Sequence, residues 1–118
     1  MIRNLLLVAL GGAVGSVGRY LVSKWLESGL PWGTLTVNVI GCLLIGLLTG
    51  LVTKGTLTPE MKLFLVTGFC GGFTTFSTFA NESFSMMKAG DALLTALYIG
   101  GSVAIGIFAV YIGLYITK

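Results

Sequence analysis

Gly68-Phe69-Cys70-Gly71-Gly72-Phe73-Thr74-Thr75-Phe76-Ser77-Thr78-Phe79-Ala80-Asn81 is a run of glycines, hydroxyls and phenylalanines inside a sequence otherwise apolar enough to sit in a bilayer. Lipid cannot hydrogen-bond to disrupted main chain. Irregular backbone at membrane depth is therefore tolerated only where it is buried in protein or lines a polar cavity. The run predicts an interruption in a membrane-spanning helix, and it is the first place to look for a function.

The surrounding composition fixes that setting. Of 118 residues, 55% are hydrophobic and 9% charged, and the mean hydropathy is +0.98; a soluble domain carries about 25% charged residues. The chain reads as an all-α integral membrane protein. At roughly 20 apolar residues per span, the length accommodates four spans in a single domain, 1–118, and no soluble domain. Their expected positions are about 2–26, 32–52, 60–87 (broken near 71–76) and 91–116, read from the apolar runs and the breakers between them. Glu27-Ser28-Gly29-Leu30-Pro31, Lys54-Gly55-Thr56-Leu57-Thr58-Pro59 and Lys88-Ala89-Gly90 make the connections. Thr58 ahead of Pro59, with Glu60 in the first turn, reads as a helix start.

Several function classes drop out. There is no His, so neither an imidazole metal site nor a His proton relay is available. The Gly-rich stretches fall within spans rather than after a strand, which excludes a phosphate-binding loop, and no nucleophile–base pair is evident. The chain is not expected to be an enzyme. Cys42 and Cys70 both fall within spans and read as small buried apolar residues. The net charge of +3 comes from a few loop lysines and arginines, and no nucleic-acid partner is implied. The N-terminal segment, with Arg3 before Leu5–Leu10, resembles a signal peptide, but its spaced small residues and the three spans that follow favour a retained first helix.

Loop charges carry a second message. Four spans place both termini and the second loop on one side, with Arg3, Lys54, Lys62 and Lys118. The other side holds Lys24 and Lys88, with Arg19 nearer the end of the first helix. Orientation follows the Lys/Arg excess, and here the excess is small. Insertion in both orientations and head-to-tail pairing is one reading; a single orientation set by other details is the alternative.

Glycine accounts for 18 residues, many at small-xxx-small spacing: Gly11 with Gly15, Gly12 with Ser16, Gly46 with Gly50, Ser102 with Gly106. In lipid such residues let helix backbones approach closely, so packing explains nearly all of them. Polar residues within spans are costly and mark a pathway or site. Arg19 either snorkels to an interface or serves a function. Asn38, with Thr34 one turn before it, is either interhelical glue or a donor to an anion. Phe76 and Phe79 share a helix face. Aromatic stripes usually pack, yet ring edges are electropositive, and with Ser, Thr and Asn donors nearby they suit an anion. The neighbouring glycines free backbone carbonyls that suit a small hard cation such as Na⁺.

Three motifs in order, Gly11-Gly12-x-x-Gly15-x-x-Gly18-Arg19-Tyr20, Gly33-Thr34-Leu35-x-Val37-Asn38-x-x-Gly41 and Gly68-x-x-Gly71-Gly72-x-Thr74-Thr75-Phe76-Ser77-Thr78-Phe79, make the chain resemble the Fluc (CrcB) fluoride channels along essentially its whole length. The resemblance implies an antiparallel, dual-topology homodimer with two fluoride pores, in an inner or plasma membrane. It assigns Phe76 and Phe79 to the pore wall, Asn38 to a pore amide with Thr34 one turn away, and Arg19 and Glu82 to the vestibule. Gly71 and Thr74 would present carbonyls to a structural Na⁺ at the dimer centre. Tyr98 and Ser102 would form a polar track beside the phenylalanines, although Gly106 stands where the next hydroxyl would be.

The expected activity is passive fluoride export that protects the cell. Donors from Asn38, Ser77, Thr78 and Ser102, together with ring edges, would replace the ion's lost water. The main competitor is a small proton-coupled multidrug-type exporter, also a four-span dual-topology dimer. It needs a titratable carboxylate in mid-path; only Glu82 is available, and the first span holds Arg19 and no acid. A non-transporting assembly subunit would explain the glycines but not the broken third span.

Overall fold

The computed structural model describes residues 1–27 and 30–117. Ser28 and Gly29 of the first connection, and Lys118 from the charge comparison, lie outside the described residues. Among the described residues, four stretches are long and apolar enough to cross a membrane. The first two are α1 (Ile2–Trp25) and α2 (Trp32–Thr53). The third, Pro59–Lys88, is divided. Residues 59–73, here α3, run as an α-turn (Pro59–Lys62), a π-helical stretch (Leu63–Cys70) and a last turn (Gly71–Phe73). After a break at 74–76 the span resumes as α4 (Ser77–Lys88). The fourth span is α5 (Ala92–Ile116).

Local chemistry sets the ends. The Thr58 hydroxyl accepts the Met61 N–H at 3.1 Å and Pro59 occupies the first turn, which satisfies one of the N–H groups a helix start leaves without a partner. Between α4 and α5 the chain turns at Gly90, whose φ of +85° is a conformation that side chains with a Cβ resist.

Two helix pairs dominate the packing, α1 against α3 and α2 against α5. In lipid no hydrophobic drive holds helices together, so close backbone approach must do so. The buried face of α2 is Gly33, Thr34, Val37, Gly41, Gly46 and Gly50. That of α5 is Thr95, Tyr98, Gly106, Ala109 and Gly113, at three- and four-residue spacing. Most large apolar side chains point outward, as they do when lipid is the solvent.

Several hydroxyls along the helices satisfy themselves. Ser83 donates to the Phe79 carbonyl and Thr95 to that of Asp91, both at 2.8 Å, and Thr53 and Thr117 likewise bond four residues back at 3.0 Å. This is the economical state for a hydroxyl in a helix away from water.

Candidate functional site: the break in the third span

The break is held by neighbouring helices. At Thr74 the backbone leaves the helical region for φ −83°, ψ 159°, and from there the regular i→i−4 donors are diverted. The Thr75 N–H, which would serve the Gly71 carbonyl in an unbroken helix, goes instead to Asn38 Oδ1 at 2.9 Å. Asn38 Nδ2 in turn donates to the Thr75 carbonyl at 3.0 Å. The Thr78 N–H, due to Thr74, goes to Thr75 Oγ1 at 3.2 Å, a side-chain cap on α4. The Gly72 carbonyl accepts from Arg19 Nε at 3.0 Å. Asn38 is therefore a two-point clamp on Thr75, with one amide N–H to spare. Arg19 reaches α3 across the α1 seam rather than turning outward.

Thr75 is the functional residue that sequence reading did not assign. Its signal was present: a Thr whose hydroxyl can accept the N–H three residues on is the standard start of a helix. Reading it required knowing that the helix restarts at Ser77.

A broken helix presents two unlike ends. The end of α3 offers carbonyls, partially negative, and the start of α4 offers N–H groups, partially positive. Gly71 and Thr74 lie on the carbonyl side, each without its helical N–H donor. Gly71 is exposed on the surface, and a Cβ there would meet nothing within 4 Å. Two such neutral oxygens are suitable ligands for a hard monovalent cation.

A groove of about 390 Å³ runs along the break and is lined by Asn38, Thr74, Thr75, Phe76, Phe79 and Ser102, with Cys42 and Gly106 further along. Phe79 is flanked by Phe76, at 6.2 Å between ring centroids, and Tyr98, at 5.1 Å, both tilted by 49°. These are tilted geometries in which ring edges, not only faces, meet neighbouring groups. Phe76 is 79% exposed, so its ring projects from the chain's surface. The Tyr98 hydroxyl donates to Glu82 Oε1 at 3.1 Å, and Thr34 is buried beside the same phenol. Ser77 is exposed and Thr78 half-buried in the first turn of α4.

The structure thus brings Asn38, Phe76, Phe79 and Ser102 to one groove and places Thr34, Tyr98 and Glu82 in a cluster adjoining it. Arg19 and Gly71 lie at the end of α3, Thr74 lies both at that end and on the groove, and neither Ser77 nor Thr78 lines the groove. Ser102 differs from the other helical hydroxyls: its Oγ is buried and has no hydrogen-bond partner among the described residues. Leaving such a group unsatisfied costs about 1–3 kcal/mol. An anion accepting from it would remove that cost.

Ser102→Ala is accordingly expected to leave the melting temperature unchanged or raised, while reducing anion flux about tenfold, the value of roughly one hydrogen bond. Unaltered flux in reconstituted vesicles would remove Ser102 from the path.

A family model described as CrcB-like protein, Camphor Resistance (CrcB), matches residues 6–114. Among curated relatives, the fluoride-specific ion channel FluC of Rhizobium etli is 48% identical, over 96% of this chain and 94% of its own. Those of Flavobacterium psychrophilum and Agrobacterium fabrum are 42% identical, over 98% of both chains, and 50% identical, over 98% and 96%.

Proposed function

Because the chain belongs to the CrcB family, whose members matched above are named as fluoride-specific channels, we propose that it is a fluoride-selective channel. It lets F⁻ leave the cell passively across the membrane that its four spans cross. The observation that carries the reading is the buried, unpartnered Ser102 hydroxyl in a groove that also holds the Asn38 amide and the Phe76 and Phe79 rings. These groups are neutral donors and weakly electropositive edges. They stabilise an anion without a full counter-charge that would trap it, as conduction requires.

Fluoride is small and tightly hydrated. A narrow path admits it only if close donors replace its water, and here the donors in the groove are the spare Asn38 N–H and the Ser102 hydroxyl. Chloride is larger and accepts weaker hydrogen bonds, so the same donors favour it less. The Tyr98–Glu82 pair adjoins this route.

The working unit in this reading is an antiparallel homodimer in a plasma or inner membrane. The projecting Phe76 ring and the exposed Gly71 support a second copy, since both present site groups outward from one protomer. The carbonyls of Gly71 and Thr74 would hold Na⁺ between subunits, where the ion would supply fixed positive charge and tie the two breaks together.

Anion-resolved efflux from liposomes containing only this purified chain tests the function. Fluoride should exit at least a hundredfold faster than chloride, equivalent to about 2.7 kcal/mol of barrier, with no requirement for a proton gradient. Equal fluxes would refute selectivity, and obligatory proton coupling would favour the multidrug-type exporter.

A further inference from the structure

Of the five consecutive carbonyls at the break, Gly71 to Thr75, four are set by neighbouring groups, and two of these are answered from outside the third span. Arg19 on α1 takes Gly72, and Asn38 on α2 takes Thr75. Asn38 also removes the Thr75 N–H from Gly71, and Thr75 Oγ1 removes the Thr78 N–H from Thr74. The same set of bonds therefore blocks the carbonyls of Gly72 and Thr75 and strips the donors from those of Gly71 and Thr74.

We propose that Arg19 and Asn38 are positioning residues that select which carbonyls of the break remain open to a hard monovalent cation. Arg19 occupies Gly72, Asn38 occupies Thr75, and Gly71 and Thr74 are thereby left facing the ion. The inference rests on the cation reading given above and assigns Arg19 a role besides its place in the vestibule.

Electrostatics makes the proposal decidable by sign. A guanidinium is permanently charged and by Coulomb's law disfavours a cation nearby. If Arg19 acted only as a charge, its removal would tighten Na⁺ binding. If it positions the break, its removal frees the Gly72 carbonyl, loosens the last turn of α3 and weakens binding. Asn38 is uncharged and yields the second case alone.

The test is the Na⁺ concentration giving half of the Na⁺-dependent rise in melting temperature of the purified full chain in detergent, with N-methylglucamine replacing Na⁺ at constant ionic strength. Arg19→Ala and Asn38→Ala should each raise that midpoint about tenfold or more, the loss of roughly one well-placed hydrogen bond. Thr53→Ala, whose hydroxyl only bonds back to Thr49, should leave it in place. If an alanine variant does not fold, Arg19→Lys and Asn38→Ser carry the test and should move the midpoint in the same direction by less. A midpoint unmoved or lowered in the Arg19 and Asn38 variants, while the parent responds to Na⁺, overturns the positioning role alone. A parent chain that shows no Na⁺-dependent stabilisation overturns the cation reading and this inference with it.

Discussion

Proteoliposomes carrying Phe79→Ile are expected to lose fluoride efflux to about one hundredth of the parent rate, some 2.7 kcal/mol of added barrier. Isoleucine keeps apolar bulk and lacks the ring quadrupole, so the substitution separates an electropositive edge from mere volume. Phe79 lies between Phe76 and Tyr98 in tilted contacts, and losing such aromatic pairs costs about 0.5–1.5 kcal/mol each. The folded protein should withstand that loss. Phe76→Ile is the cleaner companion. Its ring is largely exposed, so little packing within the chain is lost, and flux should fall while the melting temperature holds. Full flux in both variants would mean that the rings only shape the path.

The parts of the site legible in the sequence were those whose cost in lipid is intrinsic to a residue type. A Gly-Gly pair followed by Thr-Thr inside an apolar run announced the interruption, because no bilayer tolerates it unsupported. Asn38 and Arg19 stood out for the same reason. Their partners were not legible. That Asn38 meets Thr75 across 37 residues and Arg19 meets Gly72 across 53 depends on how α1 and α2 seat against the third span, and residue type carries no such information. The two readings left open for Asn38, glue or donor, turn out to be compatible, since the clamp on Thr75 leaves one N–H free. The π-helical stretch Leu63–Cys70 was also invisible beforehand. Its residues are ordinary span formers, and a wider turn is set by what the helix must fit. Ser102 was legible as a polar residue but not as an unpartnered one, because a helical hydroxyl can bond four residues back, as those of Ser83 and Thr95 do.

Gly15→Ala should be among the most damaging single methyl groups that could be added to the chain. The Cβ would collide with the Phe69 carbonyl and lie 2.9 Å from the Phe73 amide nitrogen. Both are backbone atoms, and Phe69 and Phe73 are themselves stacked at 5.5 Å, so no flexible side chain can swing away. Overpacking costs typically 1–3 kcal/mol, and a clash with main chain belongs at or above the top of that range. Because α1 would have to back away, Arg19, one turn further along the helix, would also lose its reach to Gly72. Loss of thermal stability and loss of Na⁺ response should therefore appear together in this variant. Gly100→Ala supplies the contrast: nothing lies within 4 Å of a Cβ there, and alanine is favoured over glycine in a helix by about 0.8–1 kcal/mol. That variant should melt with the parent or above it. A Gly15→Ala protein that melted with the parent would show that α1 and α3 do not approach as closely as the Gly11–Gly15 seam requires, and the route by which Arg19 reaches the break would have to be redrawn.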